Sequence, residues 1–140
     1  MADTVNVATI TTDAAHRMIA AAEAKATEMG VPMCIAVADP GGNLKAFSRM
    51  DGAALLSTQI AQDKAYTAVG FGMPTHGWHD FIKDDAPLAA GAPTGIDRLV
   101  IFGGGYPITV DGTVVGAIGV SGGHYTQDQK VAEAGLAALD

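Results

Sequence analysis

An antiparallel sheet covered by helices, an α+β arrangement, is the fold class this sequence predicts, and three observations predict it. Two strand-like runs are joined by the turn cluster Asp39-Pro40-Gly41-Gly42-Asn43, and two more by Asp111-Gly112, a two-residue hairpin signal. Helical patterns are grouped between these hairpins instead of alternating with single strands, which argues against a parallel doubly wound sheet. The turn Gly103-Gly104-Gly105 lies between strand-like runs, so no helix N-terminus follows it to hold a pyrophosphate.

Each element follows from spacing and punctuation. From Thr12 to Met29 the apolar residues Ala15, Ile19, Ala22, Ala26 and Met29 recur every three or four positions. Thr12 suits the N-cap and Gly30 the C-terminal stop. Met33 to Ala38 and Leu44 to Arg49 form the first hairpin. Ala53 to Val69 is helical, with Leu56, Ile60, Lys64 and Ala68 on one stripe, so Lys64 stands where an apolar residue is expected. The proline- and glycine-rich segment from Gly70 to Gly95 supports only a short helical turn near Trp78 to Lys83. Leu99 to Phe102, Tyr106 to Val110 and Thr113 to Val120 bring the strands to five. Thr126-Gln127-Asp128-Gln129 has capping-box spacing and opens a last helix to Leu139.

Composition bounds the function. A chain of 140 residues suits one domain, 1–140, and its 49% hydrophobic and 16% charged residues argue against disorder. With 8 basic against 15 acidic side chains the net charge is −7, which repels phosphate backbones, so no nucleic-acid partner is expected. No apolar run reaches the roughly 20 residues that span a bilayer, and no membrane association is expected. The first residues carry no signal-peptide pattern and Cys34 is the lone cysteine, so a reducing cytoplasm is the expected setting. Low charge with 18 glycines hints at surface buried in a homo-oligomer.

Three groups of residues could carry chemistry. In Arg49-Met50-Asp51-Gly52, Asp51 could cap the following helix and pair with Arg49, or Arg49 and Lys64 could hold a ligand carboxylate. A lysine so placed often snorkels to water, and after the carboxylate clamp comes a desolvated base or Schiff-base former. Among the histidines, His76 and His79 are three apart, which suits one helical face and a metal, or simply a surface near Trp78. His16 reads as a partly exposed helix residue. His124, in Ser121-Gly122-Gly123-His124-Tyr125, follows a strand where small residues let a ligand approach the backbone. Finally, Gly103-Gly104-Gly105 and Gly122-Gly123 are either tight turns or two walls of a groove with exposed N–H groups. No Gly-x-Ser-x-Gly elbow accompanies Ser121.

Several segments, in order, resemble one family. They are Ile35-Ala36-Val37-Ala38-Asp39-Pro40-Gly41-Gly42, Arg49-Met50-Asp51-Gly52-Ala53, Lys64-Ala65-Tyr66-Thr67-Ala68, Gly103-Gly104-Gly105-Tyr106-Pro107, Val115 to Gly123, and Gln127-Asp128. Together the chain resembles the GlcG/HbpS-like family, which includes the C-terminal domain of PduO-type proteins. The resemblance implies a profilin-like fold, a five-stranded antiparallel sheet flanked by helices, in homo-oligomers. It also implies haem as a cofactor in some members, and His16 falls where a haem-ligating histidine is proposed in PduO-type members.

Two functions follow as expectations. The first is binding of haem or a similar carboxylate-bearing small molecule in a groove at the sheet edge. Arg49, Asp51, Lys64, Gly103, Gly104, Gly105, Ser121, Gly122 and Gly123 would line it, and His16 or His124 would ligate the metal. The second is a cofactor-free isomerase, hydratase or lyase acting on a small oxo- or hydroxy-acid. There Arg49 or Lys64 would hold the carboxylate, His124 or Asp128 would move the proton, and the glycine turn would stabilise an enolate oxygen.

Overall fold

The structure, a computed structural model, describes residues 1–139. The elements run α1 (Thr12–Met29), β1 (Cys34–Ala38), β2 (Leu44–Arg49), α2 (Ser57–Phe71), α3 (His76–Ile82), α4 (Ala86–Gly95), β3 (Gly105–Val110), β4 (Thr113–Ser121) and α5 (Tyr125–Leu136). Both hairpins form as their turns predict. Asp39 accepts the N–H groups of Gly41 and Asn43 at 2.9 Å, and Asp111 and Gly112 take φ of 51° and 79°, a type I′ pair. The two hairpins join through β1 and β4, giving an antiparallel sheet in the order β2-β1-β4-β3.

That sheet has four strands, not the five expected, while the α+β class holds. The segment Leu99 to Phe102 has strand composition but runs across α2 instead of beside a strand. The Thr67 hydroxyl donates to the Arg98 carbonyl at 2.9 Å and accepts the Val100 N–H at 3.0 Å, so a helix side chain takes the ladder's place.

The side-chain alternation of the central strands sets up two different faces. Ile35 and Val37 of β1, with Ile118 and Val120 of β4, point to one face and pack with Met18, Ala22 and Val131 of α1 and α5. Cys34, Ala36, Ala38 and Ala117 point to the other and meet α2 chiefly through Ala61, Ala65 and Ala68, with Val69 of the same helix and Phe47 of β2 packed beside them. This second contact is backbone-close. A Cβ on Gly119 would run into the Ala61 carbonyl, and one on Gly105 would lie 2.5 Å from the Lys64 carbonyl.

Helix ends show where the sequence reading shifted. α1 is capped by Thr11, whose hydroxyl accepts the Ala14 N–H at 3.1 Å, one residue before the expected Thr12. Gly30, at φ 72°, closes it as expected. α2 begins at Ser57, not Ala53, and turns Ser57, Ala61, Lys64, Ala65 and Ala68 inward, leaving Leu56 74% exposed. Asp51 does not cap it; the N-cap, Leu56, has no side-chain hydrogen bond. α4 was not expected, because Pro87 and Pro93 read as breakers. Pro87 sits in the first turn, where its missing N–H is harmless, and Asp85 accepts the Leu88 N–H at 3.2 Å. α5 is capped by His124, two residues before the expected Thr126: the His124 N–H donates to Gln127 Oε1 at 3.0 Å, and His124 Nδ1 accepts the Thr126 N–H at 3.3 Å. Among the described residues no helix is long and apolar enough to cross a membrane.

Candidate functional site

The most unusual side chain in the protein is Lys64, which is fully buried. It leaves α2 on the alanine face and reaches past the start of β3 to α5 on the opposite face. Its Nζ donates to the Val120 carbonyl at 2.8 Å and to Asp128 Oδ2 at 2.7 Å. Asp128, itself 2% exposed, uses its other oxygen to accept the Gly123 N–H at 3.0 Å. Burial lowers the pKa of Lys64 and raises that of Asp128, and in each the partner's charge opposes the shift. With an N–O distance of 2.7 Å and no solvent access, the pair is a buried ion pair held by further hydrogen bonds.

The glycine turn is shaped around this pair. A Cβ on Gly104, which sits at φ 124°, would lie 2.7 Å from Lys64 Nζ and 2.6 Å from the Val120 carbonyl. Gly105 exchanges hydrogen bonds with Thr75, a fully buried residue that the sequence did not single out. Its N–H donates to the Thr75 hydroxyl and its carbonyl accepts the Thr75 N–H, both at 2.9 Å. Gly103 packs against the Gln129 side chain.

Outside the turn lies a groove of about 390 Å³, lined by His76, His79, Asp80, Ile101, Phe102, Gly103 and Tyr125. One wall is the chain entering the glycine turn, the second is the exposed face of α3, and the third is the first turn of α5. The spacing of His76 and His79 places both imidazoles on this face, as the sequence suggested. The His76 ring meets Tyr106 edge-on at 5.5 Å, and Asp80 holds the Lys83 ammonium at 3.2 Å beside the groove. Phe102 and Tyr125 were not read from the sequence as site residues. A single aromatic in a loop and another at the first position of a helix carry no periodic signal that would have marked them.

The structure distributes the other expected site residues around the molecule. Arg49 and Asp51 line a separate hollow with Glu23, Ser48 and Met50, so Arg49 and Lys64 do not converge on one ligand. Ser121 is buried at the end of β4, opposite Cys34. Gly122 packs against the chain at Pro32 and Met33, and Gly123 supplies the N–H that Asp128 accepts. His16 is exposed on α1. His124 is exposed at the α5 cap, its ring 4.1 Å from that of Tyr125, at the groove's margin. Lys64 and Asp128 face each other and not the groove, so neither is open to a substrate in this arrangement.

Among the described residues no cluster of three or more His, Cys, Asp or Glu side chains could hold a metal ion. Two imidazoles without a third ligand do not make a cage for a bare ion. A haem iron brings four nitrogens of its own and asks the protein for one or two axial ligands, an apolar flank and a cation for its carboxylates. The groove supplies two imidazoles and the flanks Ile101, Phe102 and Tyr125, so its residues fit the iron and the ring; Lys83, which follows α3 in sequence, is paired with Asp80.

Comparison with known proteins places the chain. The model of the family described as haem degrading protein HbpS-like matches residues 10–137. An uncharacterised 15.0 kDa protein encoded between dhaT and dhaS in Citrobacter freundii is 45% identical over 130 residues, 93% of this chain and 92% of its own length. The crystal structure of Klebsiella pneumoniae protein ORFY superposes with a TM-score of 0.93 at 38% identity, over 100% of this chain and 99% of that one. The crystal structure of a PduOC–haem complex superposes with a TM-score of 0.87 at 31% identity, over 94% and 96%. The chain belongs to the HbpS-like family.

Proposed function

From that family membership, we propose that this protein binds haem, or a similar planar carboxylate-bearing molecule, in the groove between α3, the glycine turn and α5. The observation that carries the reading is the pairing of His76 and His79 with the aromatic side chains Phe102 and Tyr125 in one open groove. Its volume falls within the roughly 300–1,000 Å³ usual for small-ligand sites. A relative of the same fold, PduOC, is known in complex with haem, which supports the choice of ligand.

In this reading His76 or His79 would hold the iron, Phe102 and Tyr125 would supply apolar contact, and Lys83, now paired with Asp80, would turn to a carboxylate. Lys83 replaces Arg49 and Lys64 in that role, because Arg49 lies in another hollow and Lys64 is closed off. The exposed apolar side chains Leu55 and Leu56 ahead of α2, Phe71 at its end, Phe81 on α3 and Ile96 after α4 support self-association as part of the same proposal.

Titration with haemin tests it. The wild-type protein gains a shifted Soret band at one equivalent, and the His76→Ala/His79→Ala variant loses most of the shift. His16→Ala and His124→Ala keep it. No spectral change at stoichiometric haemin overturns the reading, and a loss confined to His16→Ala moves the site to the outer face of α1.

A further inference from the structure

Resting on the groove just described, we propose that Lys64 and Asp128 are its positioning residues. The buried pair sets two of the groove's three walls against each other without touching what lies between them.

Four contacts converge on one ammonium group and its partner. Lys64 Nζ lies 5.2 Å from the centroid of the Phe102 ring, within the range of a cation–π contact, and Phe102 forms the first wall. The glycine that follows that wall, Gly104, is bare because Nζ occupies the space a side chain would need. Nζ also donates to the Val120 carbonyl, from which the chain passes through Ser121 and Gly122 to the other wall. Asp128 completes the set. It takes the proton-bearing face of Lys64 on one oxygen and the Gly123 N–H on the other, one residue before His124 caps α5 and two before Tyr125.

The arrangement is more than a core filler. A hydrophobic pair of similar volume would satisfy the packing at least as well, because desolvating two charges is costly. What it would not supply is direction. An ammonium fixes its acceptors along its N–H bonds, whereas a methyl group tolerates any of several arrangements. The segments that lead to Phe102 and Tyr125 are glycine-rich and belong to no strand or helix until Gly105 and Tyr125; besides the pair, the Val120 N–H to the Gly104 carbonyl at 2.9 Å and the His124 cap hold them. The Lys64–Asp128 pair is thus a shared anchor that ties segment 102–104 to segment 122–124.

Stability and positioning separate in one experiment. The variant Lys64→Met/Asp128→Leu removes both charges together and is expected to melt within a few degrees of the wild type. In the haemin-free protein, amide hydrogen exchange should accelerate at least tenfold at Gly105, whose N–H is held by Thr75, and at the capping-box amides 124–127, while the β1 amides keep wild-type protection. Haemin affinity should fall at least tenfold, with a displaced or broadened Soret band. If the double variant keeps wild-type exchange at Gly105 and at 124–127, the pair contributes stability alone and the inference is overturned. If it melts far below the wild type, Asp128→Asn, which retains an oxygen for the Gly123 N–H, replaces it. Unchanged exchange at Gly105 in that variant is then the overturning result. Failure of the wild-type protein to bind haemin would count against the haem reading and leave the exchange result to decide this one.

Discussion

The two faces of the sheet share the same strands and are held by opposite means. On the side of α1 and α5, large aliphatic residues such as Ile35, Val37, Ile118 and Val120 interdigitate, and stability comes from buried side-chain area. On the side of α2, alanines and glycines let helix backbone settle onto strand backbone, as at Gly119 and Ala61, and there are few side chains to give way. The first face has adjustable parts; the second has almost none. Lys64 departs from this pattern: its long side chain leaves the alanine contact and reaches past the strands to Asp128.

The sharpest way to break this contrast is to strand one charge. Lys64→Met leaves Asp128 buried without its partner and should cost about 3–5 kcal/mol in chemical denaturation. A cost under 1 kcal/mol would mean that the α2 side has more room than its contacts imply. Next comes Gly119→Ala, which sets a methyl against the Ala61 carbonyl. It should cost about 3 kcal/mol, at the upper end of overpacking effects, because only backbone could move. Ile35→Val, on the adjustable side, should cost about 1 kcal/mol. Smallest is Gly135→Ala in α5, whose new methyl would lie 2.6 Å from the tip of Ile118 and, less severely, 3.2 Å from the Met18 carbonyl. A rotamer change relieves the first contact, and gained helix propensity offsets part of the strain, so the net change should stay within about 1 kcal/mol. If Gly119→Ala and Gly135→Ala cost the same, the contrast between the faces is wrong.

Dependence on pH sharpens the same point, since the charged pair joins the two faces. Burial raises the pKa of Asp128 above its ordinary 3.8, so its stabilising contribution is complete below that value and declines as pH rises through the folded-state value. Burial lowers the pKa of Lys64 below its ordinary 10.5, so its contribution recovers as pH rises from the folded-state value toward 10.5. Relative to Lys64→Met/Asp128→Leu, the wild type should therefore lose stability on leaving the acid range and regain it toward alkaline pH. Denaturation midpoints of the two proteins across that range measure the difference directly.

Much of this architecture was legible in the sequence. The hairpins were, because their turns need specific residues at specific places: an aspartate to gather N–H groups at Asp39, and positive φ at Asp111-Gly112. Lys64 was visible as an irregularity, a charge on an inward stripe. Its meaning was not, because its partner lies 64 residues away on a helix across the sheet. The expected fifth strand misled because composition reports only that Leu99 to Phe102 is apolar, and Thr67 decides what its backbone pairs with. The helix α4 was hidden by its prolines. The groove was half legible: the spacing of His76 and His79 pointed to a shared face, while Phe102 and Tyr125 join them only through tertiary structure.

The layer formed by α3 and α4 has one more consequence. The chain has a single tryptophan, Trp78, and it sits in this layer, 3% exposed, with Phe71 and Phe81 edge-on at 5.4 Å and 5.6 Å. Its cluster, with Ile82 and Ala92, is separate from both sheet cores. Intrinsic fluorescence of this protein is therefore a local gauge. It registers the loosening of the outer helices, whereas the sheet and its two faces are optically silent at tryptophan wavelengths and must be followed by circular dichroism.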